Sequence, residues 1–168
     1  MNPPHVDLAY LAPLKIVGFP GGHASGVVRP LITPDTEPHH EALTRGALLL
    51  PRCDACARMR LPATPACTWC GGTASTWSRA TGQGRVHSWV RYHRAYLPEF
   101  AALVPYAVLA VQLDEGPVAF GRLVAGPAGA STPPDAPPPR IGQPARAVVE
   151  RWADGFCGLA FELAEATR

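Results

Sequence analysis

Lysine is nearly missing from this 168-residue chain: Lys15 is the only one, and the other fourteen basic residues are arginines. Charge of either sign is sparse, at 17% of residues, and the net balance is only +2. A general nucleic-acid binder carries a clustered basic stripe and a high pI. Arginines scattered along a chain of pI about 8.4 do not supply that stripe. No run reaches the ~18 consecutive apolar residues that a membrane-crossing helix needs. Met1-Asn2-Pro3-Pro4-His5 lacks the basic start of a secretory signal, and the apolar stretch from Leu8 is broken by Pro13 and Lys15. The expected location is therefore cytoplasmic.

The usual catalytic signatures are also missing. There is no phosphate-cradling glycine loop opening a helix, no His-Glu-x-x-His and no Gly-x-Ser-x-Gly elbow. Asp114-Glu115 is a carboxylate pair by composition, but neighbours in a turn diverge, which makes a solvated hairpin tip of them. The chain does not read as an enzyme acting alone.

Proline and glycine, by contrast, are abundant, at 20 and 16 residues. That density excludes a helix bundle, because proline clashes with the preceding turn and glycine loosens it. Thirteen aromatics and a 47% hydrophobic content exclude a wholly disordered chain. A loop-rich β protein remains.

The cysteines carry the strongest signal. Cys53-Asp54-Ala55-Cys56 is followed, after ten residues, by Cys67-Thr68-Trp69-Cys70. Each Cys-x-x-Cys turn aims two thiolates at one point, and four sulfurs complete a closed tetrahedron around Zn²⁺. In a reducing compartment, clustered thiols read as metal ligands rather than disulfides. Iron shares this ligand set. Gly71, directly after Cys70, frees the second turn to adopt positive φ, whereas the first turn has Ala57 in that place. Cys157 stands apart in an apolar strand pattern and reads as a small buried hydrophobe.

Around the cysteines the chain divides into three parts. Residues 1–35 hold six prolines without periodicity and read as an extended arm that stays disordered unless something holds it. Residues 36–73 comprise a short helix from Glu37 to Arg45, stopped by Gly46, then a strand over Ala47–Arg52 and the cysteine module. Residues 74–168 alternate as strands: a long first strand from 74 to 92, bent at Gly82-Gln83-Gly84, then Tyr106–Leu113, Val118–Val124, Ala145–Trp152 and Cys157–Leu163. Within the first, alternation puts Val86, Ser88, Val90 and Tyr92 on one face and His87, Trp89, Arg91 and His93 on the other. A proline-rich loop spans 125–140. Five strands in this order suit a Greek-key barrel of OB type.

The succession Glu41-Ala42-Leu43-Thr44-Arg45-Gly46, Leu48-Leu49-Leu50-Pro51-Arg52-Cys53-Asp54-Ala55-Cys56, Leu61-Pro62, Cys67-Thr68-Trp69-Cys70-Gly71, Gly82-Gln83-Gly84-Arg85-Val86, Pro105-Tyr106-Ala107-Val108 and Leu113-Asp114-Glu115-Gly116 resembles the zinc-ribbon/OB-fold proteins of acyl-CoA metabolism. The resemblance covers about residues 38–163. It implies a mainly β fold: a short N-terminal helix, a rubredoxin-like zinc ribbon ligated by Cys53, Cys56, Cys67 and Cys70, and a C-terminal five-stranded OB-fold barrel. It further implies a non-catalytic accessory subunit that completes or stabilises a thiolase-fold enzyme, whether a thiolase, a thioester aldolase or an acyltransferase, in a hetero-oligomer. Arg91, His93 and Arg94 are the candidate contacts for the phosphates of a CoA thioester, because guanidinium forks match phosphate geometry. His39 and His40 stand where the family helix carries aromatic anchors, and we read them as a solvated helix end. Two other functions use the same features: a single-strand nucleic-acid-binding OB domain, with Trp89 and Tyr92 as stacking platforms, and a rubredoxin-like electron carrier.

Overall fold

The computed structural model describes residues 12–21, 30–126, 129–131, 133 and 136–164. Helix α1 spans Glu37–Thr44, with Pro38 in its first turn and Gly46 in positive φ just past its end. Strand β2 follows at Leu48–Cys53 and pairs antiparallel with β3, Ser75–Ala80, from Leu48 opposite Ala80 to Cys53 opposite Ser75. These two strands make a sheet of their own.

The barrel is built by β4 (Gln83–Tyr92), β5 (Tyr106–Leu113), β6 (Val118–Ala125), β8 (Pro144–Arg151) and β9 (Cys157–Leu163). Neighbours run β4-β5-β6-β9-β8 and back to β4, all antiparallel except the β6–β9 pair, so the sheet closes on itself. This is the OB order, in which closure removes the free sheet edges. The expected mainly β fold, with zinc ribbon and OB-fold barrel, is what the structure has. Among the described residues no helix is long and apolar enough to cross a membrane.

Three expectations need correction. The stretch from 74 to 80 does not begin the barrel. Gly82, at φ 74°, turns the chain so sharply that β3 pairs with β2 while β4 starts afresh. The alternation along β4 is also interrupted. A bulge between Val86 and Ser88 leaves His87 as an extra residue, which inverts every later side chain. Trp89 therefore joins Val86 against the core, while Ser88 and Val90 face outward. Finally, His39 is half-buried rather than a free helix end. Its Nδ1 lies 2.9 Å from the Leu49 carbonyl, and burial holds its pKa below the ordinary histidine range.

Part of the arm is held by the barrel. Strand β1, Ile16–Gly18, pairs in parallel with Val149–Arg151 of β8, taking up the stretch of that strand which β4 does not reach. Val17 closes a small outer cluster with Val124, Val148 and Ala160. Beside it, Arg122 and Glu150 form a buried ion pair, with Arg122 Nε donating to Glu150 Oε1 at 3.0 Å. Lys15 adds an ion pair to Glu162, which Arg146 also meets at 3.0 Å. Against the upward push of burial, these two cations hold the Glu162 carboxyl below its ordinary range. Residues 1–11 and 22–29, the rest of the expected arm apart from its last residues, lie outside the described residues. In the proline-rich loop, β7 (Ala130–Ser131) pairs with Val124–Ala125.

One core joins helix, ribbon strand and barrel. Leu43 from α1 and Leu48 and Leu50 from β2 belong to the same buried cluster as Val86, Leu109, Leu113 and Phe161. Leu49, on the opposite face of β2, packs with Ala42, Ala47 and Trp77. Period-two alternation thus buries both faces of this strand. The parallel β6–β9 contact is tight: a Cβ at Gly121 would lie 2.7 Å from the Leu159 carbonyl oxygen and 2.9 Å from the Ala160 Cα. Backbone atoms have nowhere to retreat, so Gly121→Ala should lower stability by about 2 kcal/mol, as overpacking does. Chemical denaturation compared with wild type measures it.

Candidate metal centre and exposed faces

The four ribbon cysteines converge. The Sγ atoms of Cys53, Cys56, Cys67 and Cys70 all lie within 4.8 Å of one another. Two edges of the cluster, Cys53–Cys70 and Cys56–Cys67, measure 3.6 and 3.7 Å. A tetrahedron with metal–sulfur bonds of about 2.3 Å has edges of about 3.8 Å. The residues present therefore fit a tetrahedral divalent ion, and four thiolates leave it no open position.

Two similar turns build the cluster. In the first, Cys53 N–H donates to the Arg58 carbonyl at 2.9 Å and Ala57 N–H returns to the Cys53 carbonyl at 2.8 Å. In the second, Cys67 N–H donates to the Gly72 carbonyl and Gly71 N–H to that of Cys67, both at 2.8 Å. Backbone N–H groups also turn toward the sulfurs. Those of Trp69 and Cys70 bring the Cys67 thiol down to about 6, and those of Cys56 and Ala55 lower Cys53. Cys70 accepts from Gly72 N–H, yet sharing protons with Cys53 and Cys56 pushes it up to about 11. These N–H donors favour the thiolate form at Cys53 and Cys67. Gly72 passes close above it: a Cβ there would stand 3.4 Å from Cys53 Sγ and 3.5 Å from Cys70 Sγ.

The two turns differ where the sequence differs. Gly71 sits at φ 76°, and Ala57, in the corresponding place, is forced to φ 62°. Among the described residues Ala57 is the one non-glycine at positive φ. Its Cβ crowds the following carbonyl in that conformation, at a cost of about 1–2 kcal/mol. Glycine removes this strain but loses more chain entropy on folding, about 0.5–1 kcal/mol. Ala57→Gly should therefore stabilise the protein by about 0.5–1 kcal/mol, read as a higher denaturation midpoint without loss of bound metal.

The three candidate phosphate contacts fall at the end of β4 and in the bend that follows it. Arg91 is half-buried near the end of β4, on the inner side of the bulge-inverted strand. His93 and Arg94 follow in the exposed bend beyond it, with the Arg94 guanidinium 5.9 Å from the Tyr96 ring. Glu115, from the carboxylate pair, is structural: its Oε1 accepts from the Thr81 N–H at 2.6 Å and the Thr81 hydroxyl at 2.7 Å. Cys157 is buried in the main core, as its strand pattern indicates.

Sequence reasoning missed two surface features. Trp69, at the tip of the second turn, is 67% exposed and has the Arg58 guanidinium 4.3 Å from its ring centre. The outer face of β4, β5 and β6 is an apolar groove of about 510 Å³, lined by Val90, Tyr92, Val108, Ala110, Val118 and Phe120. Ser88, Ala110 and Phe120 lie in register across the three strands, and Phe120 is 69% exposed. Only the bulge at His87 exposes Val90 here, and bulges leave little trace in composition.

Comparison with known proteins agrees with this geometry. A family model described as the ChsH2 rubredoxin-like zinc ribbon domain matches residues 40–76, and one described as the ChsH2 C-terminal OB-fold domain matches 77–150. A chain of the solved Ltp2-ChsH2(DUF35) aldolase is 30% identical, with a TM-score of 0.68, over 82% of this chain and 100% of that one. The chain belongs to the ChsH2 (DUF35) family of zinc-ribbon/OB-fold proteins. A DUF35-family protein of unknown function from Sulfolobus solfataricus shares the fold, with a TM-score of 0.53 at 12% identity over 78% of this chain and 86% of that one. A probable enoyl-CoA hydratase alpha subunit from Thermomonospora curvata is 36% identical over 88 residues, 52% of this chain. This chain spans about a quarter of that relative's length (27%).

Proposed function

We propose that this protein is a non-catalytic accessory subunit that docks on a thiolase-fold acyl-CoA enzyme and completes or stabilises it. The observation that carries the reading is the 30% identity with a chain of the Ltp2-ChsH2(DUF35) aldolase, sustained over that chain's whole length. The four-cysteine cluster supports a structural role within it. Zn²⁺ held by Cys53, Cys56, Cys67 and Cys70 supplies folding free energy to a ribbon whose sheet has only two strands.

Helix, ribbon strand and barrel share one core, so the unit presents its surfaces as a rigid body. The groove on β4–β6 is the docking face we assign to the enzyme partner. Large exposed apolar side chains concentrated on one face mark interaction sites, and Val90 and Phe120 are such residues. Arg91, His93 and Arg94, at the far end of β4, are proposed to meet the phosphates of a CoA thioester bound at the joint surface. They supply positive charge and forked donors, and the carbon chemistry belongs to the partner.

Co-expression with a thiolase-fold acyl-CoA enzyme from the same organism tests the reading. The expected result is a co-purifying complex whose turnover falls at least tenfold when this chain is omitted. A partner equally active alone contradicts it. Phe120→Asp should weaken co-purification about tenfold while leaving the denaturation midpoint unchanged; an unaffected complex removes the groove from the interface.

A further inference from the structure

Arg60 is the most deeply buried arginine of the ribbon, at 6% exposure. Its Nη2 donates to the Thr64 carbonyl at 2.8 Å and to Ser75 Oγ at 3.3 Å. Its Nε and Nη1 have no hydrogen-bond partner among the described residues. No described carboxylate comes within ion-pair distance of it either. A buried cation with idle donors and no counter-charge is costly, because desolvation is not repaid by pairing. Hydrogen bonding alone does not account for a guanidinium here.

The cysteine cluster offers a candidate counter-charge on the same two-stranded sheet. Ser75 stands directly opposite Cys53 in the β2–β3 ladder. Residues opposed in this way project from the same sheet face, with Cβ atoms about 4.5–5.5 Å apart. The Arg60 N–H bonded to the Pro51 carbonyl places its backbone alongside β2 as well, two residues before Cys53. Four thiolates around one divalent ion carry a net charge of −2. We propose that Arg60 is the charge-compensating residue of the metal centre: its guanidinium, fixed by Thr64 and Ser75, offsets the dianionic cluster and slows loss of the metal. The geometry adds Arg58, on the Trp69 ring at the rim, as a second and more exposed cation. This inference rests on the metal–thiolate reading of the cluster, which the metal content of the wild type tests separately.

The experiment uses the full chain as Arg60→Gln and Arg60→Lys, loaded with Zn²⁺ and challenged with a colorimetric chelator. Glutamine keeps a donor but removes the charge; lysine keeps the charge but loses the fork. Release from Arg60→Gln is expected to be about tenfold faster than from wild type, and release from Arg60→Lys within about threefold of wild type. Wild-type retention in Arg60→Gln overturns the proposal. So does equal impairment in both variants, which would make Arg60 a hydrogen-bonding brace. If Arg60→Gln fails to fold, Arg60→Lys decides: release within threefold supports charge compensation, and tenfold or faster release contradicts it. A wild type that binds no metal refutes the metal reading itself.

Discussion

Four sulfurs drawn together by two short turns are the constraint on which the N-terminal half of the described structure depends. Strands β2 and β3 form a two-stranded sheet, and an isolated two-stranded unit is marginal in water. The turns at Cys53 and Cys67 add few apolar side chains; what they contribute is convergence. A divalent ion bound at that point would tie residues 53–70 into one closed unit, and folding of the ribbon and binding of metal would then become one equilibrium. The left-handed strain at Ala57 is tolerable under that condition, because the surrounding ligands over-determine the turn.

The ribbon is not a module on a string. Strand β2 runs from the barrel core to the first ligand in six residues, Leu48 to Cys53, and buries leucines on both faces on the way. His39 adds a hydrogen bond from α1 to the same strand. On the other side of the barrel, the arm covers β8 with β1 and shields the Arg122–Glu150 pair, where burial pushes the Glu150 carboxyl up despite the adjacent guanidinium. The chain thus covers one outer barrel face with its own arm, while the face of β4–β6 keeps Val90 and Phe120 exposed. That asymmetry suits a subunit with one surface set aside for a partner. The single lysine serves the covered side, pairing with Glu162.

Much of this was legible from residues alone. Ligand spacing is a local property, and Cys-x-x-Cys turns specify their own geometry, so the metal cluster and the different φ freedom of Ala57 and Gly71 follow from short stretches of sequence. The hairpin strands were legible because each is an apolar run bounded by turn residues, as at Asp114-Glu115-Gly116-Pro117. What failed was non-local. Whether Ser75–Ala80 pairs with β2 or continues into β4 depends on a partner strand more than twenty residues away, and Gly82 permits either path. The bulge at His87 inserts one residue without a composition signal, and one residue is enough to exchange the roles of Trp89 and Val90. The hold of β1 on β8 was hidden by prolines on either side of a three-residue strand. Arg60 reads as one more scattered arginine in the sequence; the fold buries it against Ser75, the residue opposite Cys53 in the β2–β3 ladder.

X-ray absorption at the zinc edge of the purified full-length protein tests the central claim most directly. The account predicts one metal per chain with four sulfur scatterers at about 2.3 Å and no nitrogen or oxygen in the first coordination sphere. A protein without bound metal, or a metal with fewer than four sulfurs and a light-atom ligand, would contradict it.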